Sequence, residues 1–361
     1  MDNITKAALL LNAVKAHNKI FSRLCSDYDP EELWQSEVLW KELKLSARMC
    51  ERLSGFIASD WAEREDERMY HFGARFITSK DIDYPARLFD HKKPPIGLYV
   101  KGNVNLSLPS VAIVGTRKCS DYAARVATEL GKVVARAGIT TISGGAMGID
   151  TAGHRGTLSG GGATVVIFGN GLDRTYPVEN RDLFSMILER GAWVSEYPFG
   201  THGSLWSFPE RDRLIAAMAA HVVIAESPED GGAMHTARTA KELGRDTWSI
   251  PGRITEEVSR GSNLLIREGA KVFVGISDFM AEITAGKIQT AIDFEPENTA
   301  AAPELNDNEK AVYSLLQRLG AKTDDDIMTE SGLDFMDVSM ALMNLEAEGL
   351  IVSTGGRYKA V

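Results

Sequence analysis

The chain has 361 residues, of which 44% are hydrophobic, so it is long enough for two or three domains and one sizeable core. Its formal net charge of −10 argues against a nucleic-acid-binding protein, but the acidic excess lies at the end of the sequence. Residues 1–110 carry 16 Lys and Arg against 16 Asp and Glu, residues 111–275 carry 18 against 18, and residues 276–361 carry 6 against 16. Three cysteines without C-x-x-C spacing argue against a disulfide framework or a cysteine-bound metal cluster.

The sequence predicts a cytoplasmic protein without a membrane span. The first residues lack the basic region of a signal peptide. The longest strongly apolar stretch, residues 214–225, is too short to cross a bilayer and is interrupted by His221.

Residues 1–72 predict a small helical domain of the SAM or helix-hairpin kind, with a packing role favoured over an interaction role. Residues 73–110 contain two short strand patterns, at 76–78 and 98–102, separated by Pro94-Pro95. This segment predicts a strand pair that extends the edge of a sheet.

Residues 111–275 alternate short β-branched runs with helix-length amphipathic stretches. This pattern predicts a parallel sheet that is covered by helices on both faces. Ligands of such sheets bind where the strands end. Residues 277–303 predict a linker, and residues 304–361 predict three helices and a small hairpin, which together indicate a winged helix.

Glycine follows three of the predicted strands, where it lets backbone N–H groups approach an anion closely. The three loops are Gly115-Thr116-Arg117, Ser143-Gly144-Gly145 and Gly169-Asn170-Gly171. None of them matches a P-loop or a complete G-x-G-x-x-G motif, so no dinucleotide cofactor is indicated. The sequence therefore predicts an anion-binding edge, formed by the C-terminal ends of these strands, without a cofactor.

Three arginines are candidate phosphate ligands at this edge. Arg117 lies in the first glycine loop, and Arg211 and Arg213 lie at the predicted start of a helix. The alternatives are a solvated surface side chain for Arg117 and ion pairs with Glu210 and Asp212 for the other two. Aromatic residues lie nearby in sequence and suit the stacking of single-stranded bases: Tyr176, Tyr197, Phe199, Trp206 and Phe208.

Other chemistry finds little support. His154, His202 and His235 lack the spacing of a metal site. Ser143 lacks the surroundings of a hydrolase nucleophile, and Asp150 is interpreted as a helix cap. We therefore expect no metal and no catalytic residues.

Residues 83–270 resemble the DNA-processing protein A family, also called DprA or Smf. The motifs that carry the resemblance are V-A-I-V-G-T-R at 111–117, S-G-G-A-M-G-I-D at 143–150, G-N-G-L-D-R-T-Y-P-V-E-N at 169–180, F-P-E-R-D-R-L-I at 208–215 and S-R-G-S-N-L-L-I-R-E-G-A at 259–270. The resemblance implies an extended Rossmann-like domain that binds single-stranded DNA. It also implies a homodimer that protects incoming DNA and loads the RecA recombinase during natural transformation, without catalytic activity.

Under this resemblance, Arg117 and the glycine loops hold phosphates, and Arg211 and Arg213 flank the strand. Where many members have a lysine within Y-P-x-x-N, this sequence has Val178 and Glu179, so Arg174 or Arg181 is expected to replace it. Asp212 replaces the usual asparagine of R-N-R and is expected to weaken phosphate binding.

Two further functions are weighed against this one. Related Rossmann-like enzymes hydrolyse nucleotide N-glycosidic bonds with a glutamate, but Thr239 stands where that glutamate would fall. A nucleotide-sensing module fits the glycine edge but gives the arginine pair no role. The tail, with 5 Lys and Arg against 11 Asp and Glu over residues 304–361, is expected to contact protein rather than duplex DNA.

Overall fold

The computed structural model describes residues 1–284, 305–319, 322–347, 350–354 and 357–360. The chain forms two compact units, residues 1–286 and 287–361. The boundary that we place after residue 72 and the linker at 277–303 stay predictions. The first residues of that segment are helical, and its remainder lies outside the described residues.

The first unit contains thirteen α-helices among its described residues. They are α1 (Asn3–Ala13), α2 (Asn18–Asp27), α3 (Glu32–Gln35), α4 (Glu37–Glu42), α5 (Ala47–Ala58), α6 (Trp61–Phe72), α7 (Asp121–Arg136), α8 (Ile149–Ser159), α9 (Arg181–Leu188), α10 (Ser207–Met218), α11 (Ala233–Glu242), α12 (Arg260–Arg267) and α13 (Ile276–Thr284).

Nine strands of this unit form one sheet. They are β1 (Arg75–Thr78), β2 (Gly97–Gly102), β3 (Ser110–Val114), β4 (Thr140–Ser143), β5 (Thr164–Phe168), β6 (Ala192–Ser195), β7 (His221–Ile224), β8 (Asp246–Ser249) and β9 (Lys271–Val272). The order across the sheet is β1-β2-β6-β5-β4-β3-β7-β8-β9.

The seven strands from β6 to β9 in this order run parallel, as the pattern of apolar runs predicts. Strands β1 and β2 add an antiparallel pair at one edge, through β6. This confirms the predicted edge extension. The central parallel strands, β3, β4 and β5, are buried because helices cover both faces.

The N-terminal helices share a hydrophobic core with the sheet. Leu10 of α1 and Met69 of α6 belong to the same buried cluster as Tyr99, Val166 and Phe168 of the strands. Glu65 of α6 is fully buried, and its Oε1 accepts the N–H of Phe199 at 2.7 Å. These contacts explain why residues 1–72 and the sheet form one compact unit.

The second unit has the predicted elements of a winged helix. Helices α14 (Asp307–Leu319), α15 (Asp324–Ser331) and α16 (Phe335–Ala347) are followed by the antiparallel strands β10 (Ile351–Thr354) and β11 (Arg357–Ala360). Val312, Ile327, Val338 and Leu345 are among the residues that form its core. In the described residues, no helix is long and apolar enough to cross a membrane.

Helix α16 is apolar on two opposite faces. Val338, Ala341, Leu342 and Leu345 pack into the core of the unit. Met336, Met340 and Met343, at i, i+4 and i+7, form an exposed stripe on the other side. An exposed apolar stripe on a helix is typical of a contact surface.

Candidate nucleic-acid interface

The site is built where the strand order changes direction. From β3 the chain moves to β4 on one side, while β7 lies on the other side of β3. In open parallel sheets, ligands bind in the crevice between two such strand ends. A Cβ at Gly115 would lie 2.7 Å from the carbonyl oxygen of Glu226, and the N–H of Thr116 donates to that oxygen at 2.7 Å. Glycine is therefore needed for the close approach of the loops after β3 and β7.

A cleft of about 450 Å³ opens between these two loops and the start of α10. Thr116, Arg117 and Lys118 line it from the end of β3. Phe208 and Asp212 line it from α10. The residues from β3 place two cationic side chains at the position where sequence analysis predicts an anion site.

Arg117 is exposed and lies over an aromatic ring. Its guanidinium carbon is 5.7 Å from the ring centroid of Phe208, and that ring lies 5.3 Å from the ring of Tyr176 at an angle of 32°. Tyr176 itself is about half exposed. The three side chains form a row, which we call the Arg117 surface, in which a cation adjoins rings that can stack on bases.

Leu205 and Trp206 are exposed beside this surface, at 89% and 83% of their full accessibility. They directly precede α10, and Leu205 lines the same cleft as Arg117. The other two aromatic candidates, Tyr197 and Phe199, are buried. Trp206, Phe208 and Tyr176 are therefore the predicted aromatics that the structure places near Arg117 or at the surface.

Arg211 does not lie on the surface. Only 5% of it is exposed, and its guanidinium donates to the carbonyl oxygens of Gly144, at 2.6 Å, and Ile167. It also pairs with Asp212 at 3.0 Å. The role expected for Arg211, flanking a bound strand, does not fit this position, whereas the alternative of an ion pair with Asp212 does.

Arg213 faces away from the cleft. It pairs with Glu196 and donates to the carbonyl oxygen of Lys93 at 3.1 Å. Residues two apart on a helix point about 200° apart, so Arg211 and Arg213 cannot serve the same surface. The expectation that these two arginines flank one strand together is corrected by the phase of α10.

The loop after β4 already holds an internal anion. The side chain of Asp150 accepts the N–H groups of Gly144 at 3.1 Å and Ala146 at 3.2 Å. Ser143 is fully buried, and its hydroxyl donates to the carbonyl oxygen of Ile113 at 2.6 Å. Gly145 has a φ of +69°, which favours glycine. The expected phosphate contacts from Ser143 and Gly144 do not fit, because Asp150 occupies that place.

The loop after β5 is folded on itself. Asn170 is buried, and its amide donates to the carbonyl oxygens of Gly171 at 2.9 Å and Arg174 at 2.6 Å. The N–H of Gly171 donates to the carbonyl oxygen of Thr201 at 3.0 Å. A Cβ at Gly169 would lie 2.8 Å from the ring of Phe208. This loop therefore positions Phe208 rather than offering its own amide to a phosphate.

Arg174 and Arg181, the expected replacements for the family lysine, are both exposed. The guanidinium Nε of Arg174 lies 3.9 Å from the carboxylate of Asp173, at the long limit of an ion pair. Arg181 is the first residue of α9. Together with Arg117, they are the predicted site arginines that remain at the surface.

Burial shifts two titratable groups behind the site. Desolvation raises the pKa of Asp150 to about 6, although the charge of Arg211 opposes this shift. Burial lowers the pKa of His154 to about 3, and its Nδ1 lies 2.7 Å from the hydroxyl of Thr164. No group of three potential metal ligands occurs in the described part of the chain.

Comparison with known families adds to this geometry. Residues 75–284 match the family described as DNA recombination-mediator protein A, and residues 296–357 match the DprA winged helix domain. The chain belongs to the DprA family.

Several DprA relatives show how far the similarity extends. Protein Smf of Synechocystis is 32% identical over 79% of this chain and 80% of its own length. The DNA processing protein DprA of Streptococcus pneumoniae is 38% identical over 56% of this chain and 72% of its own length. The resemblance deduced from the sequence motifs is confirmed.

Two solved DprA structures share the fold. The X-ray structure of DprA from S. pneumoniae covers 78% of this chain and 98% of its own, with a TM-score of 0.68 and 30% identity. A structure of DprA from Helicobacter pylori, which describes the single-stranded DNA binding mode of that protein, covers 59% and 97%, with a TM-score of 0.54 and 29% identity. The extended Rossmann-like domain is thereby confirmed, and the family match over residues 296–357 confirms the winged helix.

The buried position of Arg211 predicts a large loss of stability on its removal. We expect Arg211→Ala to lower the free energy of unfolding by about 3 to 5 kcal/mol, because Asp212 and two carbonyl groups lose their partner. Urea denaturation followed by tryptophan fluorescence measures the change. Arg213→Ala is the control and should cost only about 1 kcal/mol, because its pair with Glu196 is partly exposed. Equal losses would contradict this assignment.

The raised pKa of Asp150 predicts a pH-dependent difference between the wild-type protein and Asp150→Asn. Since the folded pKa lies above the unfolded value of 3.8, the folded state binds the proton more tightly, and stability falls as pH rises from 4 through 6. The free energy of unfolding of the wild type, relative to the variant, should drop by up to about 3 kcal/mol between pH 4 and 7. Urea denaturation across this range measures the difference. If the wild type instead gained stability relative to Asp150→Asn as pH rises, the folded state would favour the ionised carboxylate of Asp150.

Proposed function

We propose that this protein binds single-stranded DNA at the Arg117 surface. The observation that carries the proposal is the row of Arg117, Phe208 and Tyr176. In this row an exposed cation lies beside two aromatic rings at the C-terminal ends of the parallel strands. Base stacking and phosphate attraction from one surface suit a single strand, whose bases are unpaired. The single-stranded DNA binding mode described for the H. pylori relative supports it.

We further propose that the bound strand is delivered to the RecA recombinase in the cytoplasm, with the protein acting as a homodimer. The family description, DNA recombination-mediator protein A, supports a role between DNA and a recombinase. Protection of incoming DNA during natural transformation is the corresponding cellular role.

The proposed function has no catalytic step. The hydrolysis of N-glycosidic bonds in related enzymes needs a glutamate, and Thr239 stands at that position within α11. Among the carboxylates of the described cleft, Asp150 accepts two backbone N–H groups and Asp212 pairs with Arg211. These contacts fit structural roles for both carboxylates and support the proposal.

Arg117→Ala should weaken the binding of a short oligothymidine by about tenfold or more, equivalent to 1.4 kcal/mol, because a phosphate or base loses its cation. The slope of log affinity against log salt should fall by about 0.7. Fluorescence anisotropy across salt concentrations measures both, with duplex DNA and a mononucleotide as competing ligands.

The matched control is Arg267→Ala. Arg267 is exposed at the end of α12, which leads into β9. It therefore lies near the N-terminal ends of the parallel strands, away from the C-terminal ends that carry Arg117. Its removal should leave affinity unchanged. Binding of the mononucleotide alone, or equal losses in both variants, would overturn the proposal.

We propose that the winged helix contacts protein rather than duplex DNA. The exposed stripe of Met336, Met340 and Met343 supports this, since flexible apolar side chains suit protein partners. The helix also begins at an acidic turn that contains Asp337. Phosphate contacts would require cations on such a helix.

Removing exposed cations of the winged helix, in the double variant Lys310→Ala/Arg357→Ala, should therefore leave duplex affinity unchanged. The measurement is a salt titration of the full chain with labelled duplex, alongside Arg117→Ala. A clear loss of duplex binding in the double variant would show that the winged helix does hold DNA.

A further inference from the structure

A second and larger crevice, of about 1150 Å³, lies within the first compact unit. Its walls come from the N-terminal helices on one side and from residues 91–96, 196–201 and α10 on the other. It has no lining residue in common with the cleft at Arg117. The sequence does not reveal it, because its walls are far apart along the chain.

The crevice is rich in positive charge although the whole chain carries −10. Six cationic side chains line it: Lys15, Lys44, Arg52, Lys92, Lys93 and Arg213. Its two lining carboxylates, Glu196 and Glu210, are already paired with Arg213 and Lys15. The remaining cations therefore outweigh the acidic groups, which favours a polyanionic ligand.

The loop that presents Lys92 and Lys93 is held in place from both walls. The carbonyl oxygen of Lys92 lies 3.2 Å from Nε2 of His17, and that of Lys93 accepts a hydrogen bond from Arg213. Buried Asn18 donates to the carbonyl oxygen of Pro95 at 2.9 Å. These bonds fix the backbone that carries both lysines, while their side chains stay exposed to a ligand.

Aromatic rings accompany these cations. Phe56 and Trp61 lie 4.8 Å apart on the helical wall, and both are partly exposed. The guanidinium carbon of Arg52 lies 5.7 Å from the ring centroid of Phe56. Cations interleaved with accessible rings are the combination that binds single-stranded nucleic acid without base pairing.

The first turns of α10 separate the two sites. Phe208, Arg211 and Asp212 face the cleft, while Glu210 and Arg213 face the crevice. The two sites are therefore lined by the same turns of one helix. The volume of the crevice also exceeds that of a typical small-molecule pocket, which favours an extended polymer.

We propose that the crevice binds a second segment of single-stranded DNA, continuous with the segment held at the Arg117 surface. This inference rests on the proposed function and extends it to a longer DNA site that includes the N-terminal helices. It also gives those helices a part in binding besides their packing on the sheet.

The test compares two lengths of oligothymidine, of about 6 and about 30 nucleotides, by fluorescence anisotropy with the full chain. The double variant Lys92→Glu/Lys93→Glu should weaken the binding of the long oligonucleotide at least about tenfold and leave the binding of the short one unchanged. Lys44→Glu, which changes a different part of the lining, is the second variant and should act in the same direction. Circular dichroism checks that the variants are folded.

The matched control is Lys241→Glu/Arg267→Glu, which makes the same change in net charge at the ends of α11 and α12, away from the crevice. It should affect neither length, whereas Arg117→Ala should weaken both. Failure of the wild type to bind either length would overturn the proposed function itself.

Three results would overturn the crevice proposal alone. Unchanged binding of the long oligonucleotide to both lysine variants is the first. Equal losses in the lysine variants and the control would indicate a bulk effect of charge. The third is that the lysine variants lose binding of a glutamate-rich peptide but bind the long oligonucleotide as the wild type does. That result would make the crevice a protein-binding site.

Discussion

The buried guanidinium of Arg211 joins the separate parts of the site. It donates to a carbonyl oxygen in the loop after β4 and to another at the end of β5, and it pairs with Asp212 in its own helix. A charge buried to this extent is tolerated only when several acceptors surround it. One side chain thus holds the start of α10 against the strand ends, and with it Phe208.

The loops at the strand ends are occupied by groups of the protein itself. Asp150 accepts hydrogen bonds from backbone N–H groups after β4, and Asn170 donates to a carbonyl oxygen within the loop after β5. The glycines of these loops allow tight backbone turns and close packing rather than open phosphate cradles. Under the proposed function, binding falls to exposed side chains, with Arg117 over Phe208 at the centre.

Charge placement makes the proposed binding of a polyanion compatible with an acidic chain. The first unit is neutral on average, yet the cleft at Arg117 and the larger crevice concentrate exposed cations on two sides of α10. The acidic winged helix exposes methionines instead. The two units therefore differ in chemistry, in line with the DNA-binding role proposed for the first and the protein contact proposed for the second.

The sequence by itself determined the elements and the parallel sheet and singled out Arg117 as a candidate, because apolar periodicity and strand-terminal glycines are local signals. It did not determine the directions of Arg211 and Arg213, since these depend on the rotational phase of α10 against the sheet. It also did not show that Asp150 fills the loop after β4, or that residues 12–61 meet residues 91–96 and 196–213 around a crevice. Those outcomes depend on contacts between distant segments, which only the tertiary structure decides.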